Sequence, residues 1–290
     1  MNPFPKISII TPNYNGGAYL EATIQSLVNQ HYPNLEYIVI DGGSTDHSME
    51  IINRYRQHMT HIISEPDNGL YHAIQKGMAL ATGDIMGWLN ADDMHHPKSL
   101  FTLAEIFTSF PQVQWLMGNP TYFDEKGRTI HCYGMARICK YDYLMPRGGW
   151  LQQESTFWTR ALWEKAGSRI SQQYKYAGDF ELWSRFFDHA QLCITDTLLA
   201  GFRYRSKAQL TLEHFDDYVN EVNEIIRQKK LTHTTSRFTL YKTLKALNRL
   251  LARLKIVNTA FFDLVIRSKL GVNNPVISFD RSTQTYKLSQ

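Results

Sequence analysis

Ile85-Met86-Gly87-Trp88-Leu89-Asn90-Ala91-Asp92-Asp93 is the stretch on which the fold turns. Five residues suited to a buried strand run straight into an amide and two adjacent carboxylates, so a strand ends where polar chemistry begins. The same juncture recurs upstream three times. Ile7 to Ile10 leads into Thr11-Pro12-Asn13-Tyr14-Asn15, Tyr37 to Ile40 into Asp41-Gly42-Gly43-Ser44-Thr45-Asp46, and His61 to Ser64 into Glu65-Pro66-Asp67-Asn68-Gly69. Between these strands lie segments of helical period, such as Gly17 to Asn29 with Leu20, Ile24, Leu27 and Val28 on one face, and one of Ser44, Thr45 or Asp46 is expected to cap the second helix. Alternation of this kind builds a mostly parallel sheet covered by helices on both sides. In such sheets ligands bind beyond the carboxyl ends of the strands, which here means four polar loops converging on one crevice.

The second half is less regular. Strands are expected at Trp115 to Gly118, Ile130 to Tyr133 and Phe157 to Thr159, and a helix at Asp179 to Asp188. From about Phe215 onward the pattern is helical, so residues 1–212 are taken as the α/β domain and 213–290 as a basic, mainly helical appendage. Trp88 and Trp158 are expected in the core.

At 290 residues, 43% hydrophobic and 20% charged, the chain has an ordinary globular composition. Cys132, Cys139 and Cys193 form no C-x-x-C pair and read as reduced thiols of a cytoplasmic protein. No secretion signal is visible at Met1 to Pro5, and no apolar run of about eighteen residues is present to span a bilayer. The formal charge is +4, yet Arg237 to Gly271 contains eight basic residues against Asp263 alone, a net of +7 that leaves −3 for the rest. The basic character therefore belongs to the tail, and nucleic acid is not an expected partner.

None of the strand-end loops contains G-x-G-x-x-G or the Walker phosphate loop. Asp92 and Asp93 behind an apolar strand repel one another unless a cation or solvent offsets them, and hard divalent ions held by one or two carboxylates suit diphosphate chemistry. The same pair also reads as a helix N-cap before Pro97. His95 and His96 have no metal-ligand spacing, and no G-x-S-x-G elbow appears.

Together the motifs Ile9-Ile10-Thr11-Pro12-Asn13-Tyr14-Asn15, Asp41 to Asp46, Gly83-Asp84 and Asn90-Ala91-Asp92-Asp93 resemble family 2 glycosyltransferases of the GT-A (Rossmann-like) fold, of the bacterial cell-surface glycan type. The resemblance runs from residue 7 to about 211. It departs at Asn90, where the family commonly has the first Asp of Asp-x-Asp-Asp. What it implies is an inverting transfer of a sugar from a nucleotide diphosphate to a hydroxyl of a saccharide or polyprenyl-linked saccharide. Thr11, Pro12, Asn13, Tyr14 and Asp41 would hold the nucleoside, with the Asp41 carboxylate accepting from the base. Glu65, Asp67 and Asn68 would complete that pocket, although Pro66 to Gly69 also reads as a plain turn. Asn90, Ala91 and Asp92 would meet the donor, and Asp92 with Asp93 would bind Mn2+ or Mg2+. Arg203 and Arg205, near Gln209-Leu210-Thr211, resemble the family's late loop over the diphosphate.

Gly178-Asp179-Phe180-Glu181-Leu182-Trp183 resembles the helix start whose Asp is the base. A carboxylate there also reads as a dipole cap. Gly148 to Ser155, with Trp150, Gln152, Gln153 and Glu154, resembles the acceptor side. Two rival classes remain open: a nucleotidyltransferase, whose glycine-rich opening is missing, and a membrane-associated interaction module with a decayed site. In the tail, Phe238, Leu240, Tyr241, Leu244, Leu247, Leu251 and Leu254 form an apolar stripe that either packs internally or rests on an anionic membrane, which would place the protein at the inner face of the cytoplasmic membrane.

Overall fold

The computed structural model describes residues 4–135, 137–145, 149–205, 209, 213–233, 236–254 and 259–289. Gly148, Leu210, Thr211 and Lys255 of the motifs and tail above lie outside them. Strands β1 (Ile7–Asn13), β2 (Leu35–Asp41), β3 (His61–Ser64) and β4 (Ile85–Trp88) alternate with helices α1 (Gly17–Val28), α2 (Ser48–Arg54) and α3 (Leu70–Leu80). The four strands are parallel, in the order β4-β1-β2-β3. After β5 (Met94–His95) and α4 (Ser99–Ser109), the sheet is extended by β6 (Trp115–Met117) and β9 (Thr156–Thr159), where β9 is antiparallel to both β4 and β6. A second, smaller sheet holds β5, β7 (Thr121–Phe123), β8 (Thr129–Cys132) and β11 (Ala200–Arg203).

The strands form where β-branched and aromatic residues meet two buried faces. Ile7, Ile9, Ile10, Tyr37, Ile38, Val39 and Ile40 are all buried, and helices cover the sheet on both sides. Trp88 and Trp158 are core residues as expected, joined by Trp183, which stacks on Trp88 at 5.7 Å and 8°.

Short helices α5 (Lys140–Tyr143) and α6 (Arg160–Lys165) precede α7 (Gly178–Phe186), and β10 (Cys193–Thr195) pairs with β6. The tail comprises α8 (Phe215–His233), α9 (Ser236–Arg253), α10 (Thr259–Lys269), β12 (Val276–Asp280) and β13 (Thr285–Ser289). It is not an appendage beginning at 213. β12 pairs in parallel with β10 and carries β13 to the edge of the main nine-stranded sheet. Helix α8 returns to the loop before α7, where the Glu221 carboxylate accepts from the backbone N–H groups of Lys175, Tyr176 and Ala177 at 2.9, 2.8 and 2.8 Å. The helical pattern of the tail concealed these joins, because pairing partners far away in sequence leave no local period.

The leucine stripe also divides. On α9 the packed face is Phe238, Tyr241 and Asn248, whereas Leu240, Leu247, Leu250 and Leu254 are exposed. Tyr241 donates to Asp142 Oδ1 (2.6 Å), and Arg267 and Lys245 pair with Asp142 and Asp263, so α9 and α10 are tied to α5.

Candidate active site

The parallel register places Asn13, Asp41 and Ser64 side by side at the ends of β1, β2 and β3. Asn13 Nδ2 donates to Asp41 Oδ1 at 2.7 Å, Ser44 Oγ donates to the same oxygen at 2.5 Å, and Ser64 Oγ donates to Oδ2 at 2.7 Å. The backbone N–H groups of Gly43 and Ser44 complete the set at 3.2 and 3.0 Å. Burial works to raise the Asp41 carboxyl, but the donors from Ser44, Ser64 and Asn13 outweigh it and hold the group below its ordinary value. With both oxygens engaged and no exposure, Asp41 shapes the loop instead of facing a ligand with a free oxygen. Asp46 does comparable work between two helices, accepting from Gly17 N (2.9 Å) and Ser48 N (3.0 Å) at the starts of α1 and α2.

Beyond these strand ends opens a first cavity, walled by Pro12, Asn13, Tyr14, Asp67, Asn90, Ala91, Asp92 and Arg205. Other expected residues fall outside it. Thr11 is buried with its Oγ1 accepting from Tyr37 OH at 3.1 Å. Glu65 is held by Lys76 at 2.7 Å, and Asn68 donates its backbone N–H to His72 Nδ1 at 3.0 Å. Gly42 lets Asp67 lie close against the loop, since a Cβ there would meet Asp67 Oδ2 at 2.8 Å and turn that side chain aside.

The two arginines separate in role. Arg205 Nε lies 2.9 Å from Asp92 Oδ2 at the cavity wall. Arg203 is buried and braces the loop, its Nε donating to Asp92 O at 2.5 Å and its Nη1 to Glu125 O at 3.0 Å. Both guanidinium groups lie over the Tyr19 ring, at 5.1 Å for Arg203 and 5.8 Å for Arg205.

Asp93 departs from the expectation of a second metal ligand. Its carboxylate is fully buried, accepting from Arg203 N at 2.9 Å and Asn90 Nδ2 at 3.1 Å, and it faces Glu154. Burial followed by the nearby Glu154 and Asp92 charges pushes the Asp93 carboxyl well up. Asp92 remains at the cavity, its carboxyl raised by burial against the lowering influence of Arg205 and Arg203. Asn90 Oδ1 is a buried oxygen with no hydrogen-bond partner. One carboxylate with a free amide oxygen two residues away fits a hard divalent ion that takes its remaining oxygens from a diphosphate. Among the described residues no cluster of three His, Cys, Asp or Glu forms an all-protein cage. His95 is a core residue, its Nδ1 2.8 Å from Ser99 Oγ, and burial lowers it to about 3.

A second cavity adjoins the first and shares Leu70, Asn90 and Phe202 with it. Asp179, at the start of α7, lies in its wall together with Trp150, Gln152, Gln153 and Glu154. Gln152 is pinned to β7 by two hydrogen bonds with Thr121, at 3.1 and 2.8 Å, and Gln153 Nε2 donates to Trp88 O at 2.7 Å. Trp150 is exposed and sits 5.0 Å from the Tyr218 ring. Removal from water raises the Asp179 carboxyl to about 6, against the lowering effect of Phe180 N, which donates to its Oδ1 at 2.8 Å. Tyr71 OH lies 3.2 Å from the same Oδ1 and 2.9 Å from Tyr176 O. Gly178 makes room for this contact, because a Cβ there would meet the Tyr71 ring at 2.8 Å.

Sequence reasoning missed Tyr71, Tyr122, Tyr176, Phe202, Tyr204, His214 and Tyr218, all on this cavity. They come from α3, from α8 and the residue ahead of it, from the small sheet and the residue after β11, and from the loop before α7, so no short motif carries them. The spacing of Tyr218 and Glu221 on one face of α8 was the only local signal.

The mostly parallel sheet of this α/β fold thus carries two abutting cavities at its carboxyl edge, one polar beside an acid-and-arginine loop and one aromatic beside a raised carboxyl. A family model described as glycosyl transferase family 2 matches residues 8–169, more than half of the 290 residues, and the chain belongs to that family. It is 44% identical over 143 residues to an uncharacterized glycosyltransferase of Haemophilus influenzae, covering 48% of this chain and 56% of the relative. It is 26% identical over 225 residues to one of Rickettsia prowazekii, covering 73% and 70%. The chain spans less than half of an Escherichia coli relative, uncharacterized glycosyltransferase YibD, at 29% identity, 56% of this chain and 48% of that one.

Among solved structures, Staphylococcus aureus TarS 1-349 superposes with a TM-score of 0.63 at 19% identity, covering 85% of this chain and 72% of that one. The mannosyltransferase PcManGT of Pyrobaculum calidifontis, in complex with GDP-Man and Mn2+, gives 0.53 at 15%, covering 92% and 87%. The fold is thus GT-A.

Proposed function

We propose that the first cavity binds a nucleotide-diphosphate sugar and the second an acceptor hydroxyl, and that the enzyme transfers one hexose with inversion in cell-surface glycan biosynthesis. The observation that carries this reading is the shared wall: Leu70, Asn90 and Phe202 belong to both cavities, and Asp179 stands on the acceptor side of them. A sugar seated at the junction has its diphosphate toward Asp92 and Arg205 and its anomeric carbon toward Asp179.

In the reaction, the Asp179 carboxylate takes the proton of the acceptor hydroxyl, the freed oxygen bonds to the anomeric carbon, and the bond from that carbon to the diphosphate oxygen breaks. The nucleoside diphosphate leaves with its electron pair, and a single displacement inverts the centre. A pKa of about 6 suits this task, because the carboxylate is ionised at neutral pH yet far more basic than an ordinary one. Asp92, with Asn90 Oδ1, would hold Mg2+ or Mn2+, and such an ion supplies neutralisation of charge on the departing diphosphate.

The acceptor cavity is bounded by aromatic faces, with Trp150 against Tyr218 and Tyr122 stacked on Tyr204 at 5.0 Å and 15°. Aromatic walls with a few polar groups suit the apolar face of a pyranose, so a saccharide or polyprenyl-linked saccharide is the acceptor class. A nucleotide-sugar donor and three free cysteines fit a cytoplasmic site of action, with the basic C-terminal helices touching the anionic inner face of the membrane.

Incubating the full chain with a panel of UDP-, GDP- and dTDP-sugars, Mn2+ and lipid-extract acceptors tests the reading. Release of nucleoside diphosphate is expected. Pyrophosphate release identifies a nucleotidyltransferase instead, and no turnover with any donor overturns the assignment.

A further inference from the structure

The exposed side of α9 combines two rows that serve no packing purpose. Leu240, Leu247, Leu250 and, in the turn that follows, Leu254 are 48, 41, 54 and 59% exposed. At about 100° per residue they fall within an arc of about 80°. Lys242, Arg249 and Arg253 are exposed on a second arc of about 40°, centred about 120° round the helix from the leucines, and none has an acidic partner among the described residues. The opposite face is already engaged: Phe238 and Tyr241 pack on Tyr141, and Lys245 is drawn into the Asp142–Asp263 cluster. An internal role for the leucine row is therefore taken up by other residues of the same helix.

The geometry points to this face, Leu240, Leu247, Leu250 and Leu254 with Lys242, Arg249 and Arg253, as the surface that docks the enzyme on an anionic bilayer. The leucines enter the headgroup boundary, and the basic row lies level with the lipid phosphates. A second copy of the chain is the poorer occupant. Two-fold antiparallel pairing through the leucines sets each basic row alongside the other copy's, like charge against like, whereas anionic lipid neutralises it. No described helix is long and apolar enough to span a membrane, so the contact is peripheral.

The fold ties this surface to the acceptor side. Helix α5 lies between them, with Tyr141 against Phe238 and Tyr241 at 5.8 and 5.3 Å and Tyr143 stacked on Phe180 at 4.1 Å. Phe180 directly follows Asp179, so docking through α9 holds the acceptor cavity in a set orientation to the lipid surface. The inference rests on the membrane contact in the functional reading above, and vesicle binding can fail while sugar transfer stands.

The test is flotation of the full chain with phosphatidylcholine vesicles, with and without phosphatidylglycerol, at low salt and at about 0.5 M, where screening shortens to a few ångströms. Binding only to the anionic vesicles, weakened by salt, is expected. The K242E/R249E/R253E variant should bind roughly a hundredfold more weakly, and L247E/L250E should lose flotation. Both should keep the wild-type melting temperature and donor turnover in solution. Wild-type protein that stays unbound at low salt overturns the proposal, as does either variant floating like wild type. A dimer seen by light scattering that L247E/L250E dissolves, without vesicle binding, overturns it in favour of self-association.

Discussion

Replacing Tyr71 with Phe removes one hydroxyl and leaves the ring that packs against Gly178. That hydroxyl is a donor to the ionised form of Asp179 at 3.2 Å, shared with Tyr176 O at 2.9 Å. Hydrogen bonds to charged groups contribute about 1.5–3 kcal/mol. A long, shared one falls just below that range, near 1.4 kcal/mol or about one pKa unit. The donor stabilises the carboxylate, so losing it raises the Asp179 pKa above its present value of about 6. Since the base acts only when ionised, the acid limb of kcat/KM for the acceptor should move from about pH 6 to about pH 7, with a rate above pH 8 within threefold of wild type. A pH profile with saturating donor reads this directly. An acid limb that stays in place or moves to lower pH would refute both the hydrogen bond and the assignment of the limb to Asp179.

Changing Asp41 to Asn takes the charge from a carboxylate with five donors and sets an amide against some of them, and a loss of about 2–4 kcal/mol in urea unfolding is expected. Because its folded pKa lies below the ordinary value, wild type should lose that stability as pH falls through the folded value, and the variant should show a shallower acid limb. Asp92→Ala should weaken Mn2+-dependent donor binding by tenfold or more while leaving the melting temperature within about 2 °C; unchanged Mn2+ dependence would remove Asp92 from the metal. Trp150→Ala and Tyr218→Ala should each raise acceptor KM about fivefold or more with donor KM unchanged, the scale of an aromatic contact worth about 1 kcal/mol; a matching rise in donor KM would contradict the division of the two cavities.

The parallel half of the fold was legible because buried strands ending in polar loops are a local signal, and β3 falls at His61–Ser64 as read from the sequence. The four strand-end loops do meet at one cavity, as expected from the sequence, but the sequence does not distinguish an organising carboxylate from a facing one. Asp41 and Asp93 are turned inward by donors that arrive from Ser44 and Ser64 in one case and from Arg203, 110 residues away, in the other. The acceptor side was least legible. Its aromatic wall is gathered from Tyr122, Phe202 and Tyr218, and only the closed fold brings α8 to the loop ahead of Asp179. The same distance effect hid β12, whose partner β10 lies some eighty residues earlier.

The central claim is that Asp179 deprotonates the acceptor for transfer from a nucleotide-bound sugar. Comparing wild type with Asp179→Asn, by nucleoside diphosphate binding in a calorimeter and by turnover of the donor found in the panel, tests it most directly. The account predicts binding within about twofold of wild type and turnover lower by roughly a hundredfold or more, the scale of a positioned general base. Turnover near the wild-type rate in a folded variant would contradict it.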